Sequence, residues 1–90
     1  RTNLAILDDW VANEPKISYL RPRSGTTALL RYDLDMGSAD LCRGLQADTG
    51  VMLLPGSALD MEGWLRIGYA CDTDVLRRGL GLFSDWLARR

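Results

Sequence analysis

Residues 50 to 70 read GVMLLPGSALDMEGWLRIGYA, and their last seven positions decide the fold. Successive side chains of a strand point to opposite faces. Laid on residues 64 to 70, that period puts Leu65, Ile67 and Tyr69 on one face and Trp64, Arg66 and Gly68 on the other. The first face is core. The second carries a large aromatic, a guanidinium and then no side chain, so Gly68 leaves clearance beside Arg66. A planar fork with that clearance can receive a carboxylate end on, through two parallel hydrogen bonds. An arginine on the open face of a half-buried strand, paired with an Asp or Glu, is the competing reading of the same residue.

Working outward, the apolar run Val51 to Leu54 reads as a short strand before Pro55-Gly56-Ser57, and the PGSALDMEG segment as a loop. Downstream, Asp72 or Thr73 caps a helix to about residue 88 whose buried stripe is Leu76, Leu80, Phe83 and Leu87, with Gly79 admitting a close neighbour. Upstream, Ser38 caps a helix with the stripe Leu41, Cys42 and Leu45. Residues 26 to 34 and 16 to 20 read as strands, joined by the turn RPRSG. Residues 1 to 14 form a helix with Leu4, Leu7, Trp10 and Val11 on one side, ending before Pro15. The order is helix, strand, strand, helix, strand, strand, helix. Such mixing predicts an α/β (α+β-like) small domain: a short, mainly antiparallel sheet covered by helices.

Composition bounds the function. Ninety residues make one domain, and 47% hydrophobic with 26% charged side chains is a globular balance. Eleven basic against 12 acidic groups leave a net charge of -1, which argues against nucleic acid or an anionic membrane as partner. The basic cluster Arg77, Arg78, Arg89 and Arg90 reads as the polar side and end of the last helix. Without histidine the usual proton shuttle near neutral pH is missing, and two cysteines, Cys42 and Cys71, lack metal-ligand spacing. There is no signal-peptide pattern and no apolar run of about eighteen residues, so a cytoplasmic protein is expected. The chain starts RTNLAILDDWV, without Met and within a helix, which suggests the tail of something longer.

Residues 49 to 83, from TGVMLLPGS through WLRIGYA to GLGLF, resemble the C-terminal segment of pyridoxal-phosphate-dependent class I and II aminotransferases of fold type I. The carriers are Val51 to Leu54, Pro55-Gly56-Ser57, Leu65-Arg66-Ile67-Gly68, and Leu76 with Gly79-Leu80. Upstream, Arg1, Asn3 and Leu7 match the family's R-x-N-x-x-x-L helix, and Pro22 and Gly25 match its P-x-G-G turn. Ser24 stands where the first Gly of that pair is usual, and Thr27 where an aromatic is common, which marks a divergent member.

The resemblance implies a single domain over residues 1 to 90, the C-terminal small domain of a longer enzyme whose large, cofactor-binding domain is absent. It implies that Arg66 binds the α-carboxylate of an amino-acid substrate and that Arg23, in the variable place between Pro22 and Ser24, contacts a distal acidic or polar group. Pyridoxal 5'-phosphate would be held mainly by the missing domain, amino acids and 2-oxo acids would be the small-molecule partners, and the full-length enzyme would be a homodimer. The family's Schiff-base lysine and other catalytic groups lie in the large domain. The one lysine here, Lys16, is expected to be exposed, and these residues alone are expected to be inert. Aminotransferase is the first expectation. Another fold-type-I activity (lyase, synthase or amino-acid cyclase) and a free-standing module binding a small ligand or a protein are the alternatives.

Overall fold

The computed structural model describes residues 2–22 and 25–90. Arg1, Arg23 and Ser24, and with them the expectation for Arg23 and part of the upstream motif, lie outside the described residues. In chain order the elements are α1 (Thr2–Ala12), β1 (Ile17–Leu20), β2 (Thr27–Tyr32), α2 (Ser38–Thr49), β3 (Leu54–Pro55), a 3-10 turn (Gly56–Leu59), β4 (Trp64–Gly68) and α3 (Thr73–Ala88). The strands form one antiparallel sheet in the order β1-β2-β4-β3. This is the α+β arrangement that the order of elements predicts.

The period of two decides which face is covered. Ile17, Ala28, Leu30, Tyr32, Leu65 and Ile67 are all buried and share the face beneath the helices. Leu7 of α1, Leu41, Cys42 and Leu45 of α2, and Leu76, Leu80, Phe83, Trp86 and Leu87 of α3 close the same core. The helix α3 begins as its sequence dictates, with the Asp72 carboxylate accepting from the Asp74 amide at 3.2 Å. The helix α1 is tied to it by Trp10, which stacks on Phe83 at 5.3 Å and donates through Nε1 to the Leu80 carbonyl at 3.1 Å and to Ser84 Oγ at 2.7 Å.

Three expectations change. The apolar run Val51 to Leu54 is not a strand: only Leu54 and Pro55 pair, opposite Arg66 and Leu65. Val51 and Leu53 pack partly buried against the core instead, and Pro55, which lacks an N–H, is tolerated because β3 is an edge strand. Ser38 does not cap α2; the N-cap is Gly37, with no side-chain bond. Gly79 admits no close neighbour either: a Cβ there would meet nothing within 4 Å, because the residue lines an open groove of about 280 Å³ with Val51, Leu53 and Phe83. Gly44 is the helix glycine that makes room, and a methyl group there would lie 3.3 Å from the Trp86 ring.

Candidate functional site

Arg66 occupies the middle of β4, with Leu29 of β2 directly opposite on one side and Leu54 of β3 on the other. Residues paired across an antiparallel ladder share a face. Arg66 therefore stands among Thr27, Leu29, Leu54, Trp64 and Gly68 on the face away from the helices. It lines a cleft of about 250 Å³ with Thr27, Met52, Leu53, Leu54 and Gly68. Gly68 is open on that side, since an added Cβ would have only the Thr26 carbonyl oxygen within 4 Å, at 3.9 Å. Arg66 is half-buried. Among the described residues no carboxylate pairs with it, and three other arginines, Arg21, Arg43 and Arg90, hold the ion pairs. A half-buried guanidinium on an apolar wall retains its donors for an outside acceptor, and a carboxylate matches its fork.

The hairpin that presents Arg66 is locked from below. The Glu62 carboxylate accepts from the Ser38 amide at 2.7 Å, the Gly63 amide at 3.0 Å, the Tyr32 hydroxyl at 3.1 Å and Ser38 Oγ at 3.2 Å. Ser38 Oγ, fully buried, accepts in turn from the Ser57 amide at 3.0 Å. Glu62 thus caps α2 from another part of the chain, and its charge lies at the positive end of that helix. The Ser38 amide, the largest contribution, holds the Glu62 carboxyl below its ordinary pKa, against the opposing effect of burial. The Tyr32 phenol is pushed up to about 12, mainly by burial and then by its bond to Glu62. Within the loop, a Cβ on Gly56 would land on the backbone carbonyls of Met61 and Trp64, so this turn admits no other residue without moving. None of this was legible as a site: Glu62 reads as one loop carboxylate among several, and Pro-Gly-Ser as a turn.

The remaining candidates have defined places. Arg21 binds the two oxygens of Asp8 through Nε, both at 3.0 Å, and Tyr19 donates to the same carboxylate. Arg21 is thereby turned to α1 and is not brought to Arg66. Lys16, expected to be exposed, is instead half-buried, because its ammonium donates to the carbonyls of Leu87 at 3.3 Å and Arg90 at 2.6 Å, at the end of α3. Cys42 is buried, and burial pushes its thiol pKa up; Cys71 is exposed. Tyr69 lies on the core face and donates to the Gly25 carbonyl at 2.8 Å. Trp64 is half-buried on the Arg66 face.

With that geometry in place, similarity to known proteins adds a lineage. No protein-family model matches the chain. A pyridoxal-phosphate-dependent aminotransferase from Streptococcus suis superposes with a TM-score of 0.96 at 40% identity, over 98% of this chain and 24% of that one. Capreomycidine synthase of Streptomyces vinaceus is 35% identical over 82 residues, which is 91% of this chain and 21% of the relative. A pyridoxal-phosphate-dependent cyclase, OrfR, superposes over the whole chain and 26% of its own length with a TM-score of 0.91 at 28% identity. The chain is homologous to fold-type-I pyridoxal-phosphate-dependent aminotransferases and cyclases, and it spans about a fifth to a quarter of the length of these relatives. No helix among the described residues is long and apolar enough to cross a membrane.

Proposed function

We propose that this chain is the substrate-carboxylate-binding part, the C-terminal small domain, of a pyridoxal-phosphate-dependent aminotransferase acting on an amino acid. The observation that carries the reading is Arg66. It is a half-buried guanidinium beside a glycine, in a cleft with an apolar wall, and no carboxylate among the described residues neutralises it. A fixed two-point clamp on the α-carboxylate orients the remaining substituents of Cα, and orientation selects which bond reacts. Arg23 is proposed, from the resemblance alone, as a contact to a distal group of the substrate.

The cofactor's role is to supply an electron sink when bound. Its ligands are assigned to the rest of the polypeptide, since the single lysine of this chain is engaged at the end of α3. The full-length enzyme is read as a cytoplasmic homodimer using amino acids and 2-oxo acids. The cyclase and synthase relatives keep a second reading in view, in which the same clamp serves ring closure of an amino acid rather than amino transfer.

The test uses the full-length polypeptide. Its cofactor absorbance band should shift on addition of one or more members of an amino-acid panel. Arg66→Ala should cost about 2 to 5 kcal/mol in substrate binding while the cofactor stays bound. Arg66→Lys should rescue poorly, because a point charge does not reproduce the fork. Loss of cofactor and substrate in equal measure, or full rescue by lysine, would refute the clamp.

A further inference from the structure

The strand carrying Arg66 is held unevenly. On the β2 side the ladder runs from Trp64 to Gly68, but on the β3 side it has two rungs, at Leu65 and Arg66. Beyond Arg66, β4 has a partner on one side only, and the chain then passes through Gly68 and the irregular residues 69 to 72 before α3 begins. A strand end with one partner and a glycine is the place where the tilt of the preceding residue is least determined.

Asn3, from the first turn of α1, grips this segment. Its Nδ2 donates to the Tyr69 carbonyl at 2.8 Å and to the Cys71 carbonyl at 2.6 Å, and its Oδ1 accepts from Thr73 Oγ1 at 2.8 Å. An amide side chain has two donor hydrogens and one carbonyl acceptor, and all are engaged. Asp at this position offers no donor, and Ser offers one. Beside Asn3, Tyr69 is also fixed to the end of the β1–β2 connection by its amide, which donates to the Thr26 carbonyl at 2.9 Å, and by its hydroxyl, which donates to the Gly25 carbonyl at 2.8 Å. The exit of β4 is thus held, beside the β2 ladder, by one side chain that reaches across from α1.

We propose that Asn3 is a positioning residue for the carboxylate clamp: by holding the Tyr69 and Cys71 carbonyls it fixes the exit of β4 and with it the direction in which Arg66 presents its fork. The proposal rests on Arg66 being that clamp. Asn3 touches neither substrate nor cofactor and acts through the strand alone.

The experiment uses the full-length polypeptide with its cofactor and pyruvate, the smallest 2-oxo acid with a carboxylate and a carbon side chain, as probe. Its dissociation constant is measured by titration well below the unfolding temperature, and hydrogen exchange of the amides at residues 67 to 69 is followed in parallel. Arg66→Ala is the reference. Asn3→Ala should weaken pyruvate binding about tenfold, a fraction of the roughly 100-fold that a 1 Å misplacement costs, and should speed exchange at 67 to 69. Thr73→Val, which removes only the bond to Oδ1, should move both quantities in the same direction and less. It keeps the test open if Asn3→Ala does not fold. If Arg66→Ala weakens pyruvate and neither Asn3→Ala nor Thr73→Val does, Asn3 is structural only and the clamp stands. If Arg66→Ala leaves pyruvate binding unchanged, the clamp and this inference fall together.

Discussion

The two faces of the sheet are built by different rules. The covered face is set by packing: Leu30 and Leu65 are fully buried and Ala28 and Ile67 nearly so, each under a helix. The open face mixes Leu20, Leu29, Leu54 and Trp64 with Arg31 and Arg66, and nothing among the described residues covers it. The contrast separates residues that a fold needs from residues that a fold merely carries. An arginine amid leucines is costly to cover without a partner.

The largest expected effect breaks the covered face. Leu65→Ala should lower the stability of the chain by about 2 to 5 kcal/mol, through lost transfer and a cavity. Leu20→Ala on the open face, where the side chain is 61% exposed, should stay within about 0.5 kcal/mol. Urea unfolding midpoints of the two variants compare the faces directly, and equal losses would mean that the open face is a second core.

Next come the glycines. Gly56→Ala forces a methyl group onto backbone oxygens and should cost about 1 to 3 kcal/mol, because neither carbonyl can rotate away. Gly79→Ala enters open space within α3 and should gain about 0.5 to 1 kcal/mol. Thermal melts decide both, and a destabilising Gly79→Ala would restore the close contact that its sequence context suggested.

The last comparison is by pH, and it probes the pins at the borders of the two faces. Tyr19 and Tyr32 titrate near 12 rather than 10, chiefly through burial and then through bonds to Asp8 and Glu62. Their folded values are raised, so their contribution to stability is complete below pH 10 and is lost as the pH climbs to about 12. Asp8 and Glu62 are lowered, by the Tyr19 hydroxyl and the Ser38 amide first, so theirs is present above the ordinary carboxylate range and lost as acid titrates through the depressed values. A stability profile that is flat to pH 12 would contradict the buried phenols. Tyr32→Phe should remove part of the alkaline loss.

Period and punctuation made most of this fold legible. The alternation in β4, the stripe of α3 and its Asp72 cap follow from local spacing, and the structure keeps each. What escaped depends on partners distant in sequence. Ser38 has the chemistry of a cap, but its hydroxyl is taken by Ser57 and Glu62, residues about twenty positions away. Val51 to Leu54 has the composition of a strand, yet only its last residue finds an open edge. Trp86 falls outside the Leu-Leu-Phe-Leu stripe and is nonetheless buried, because Asp48 of α2 accepts its ring N–H at 2.7 Å. Alternation together with Gly68 singled out Arg66 as unusual, and its proposed role came from the family resemblance, not from spacing. Asn3 stood out only as part of a motif, and its work became visible once α1 lay against the exit of β4.

The placement of the three tryptophans has an optical consequence. Trp10 and Trp86 emit from within the helical layer, one stacked on Phe83 and the other 1% exposed beneath the Arg90 guanidinium. Trp64 emits alone from the opposite side, two residues from Arg66 on the same strand. Trp10 and Trp64 are both half-buried and open to a quencher in solution, but anything that settles on the open face will shield Trp64 while leaving the other two unchanged. The chain therefore carries its own reporter for occupancy of the open face, with two internal references for the integrity of the fold.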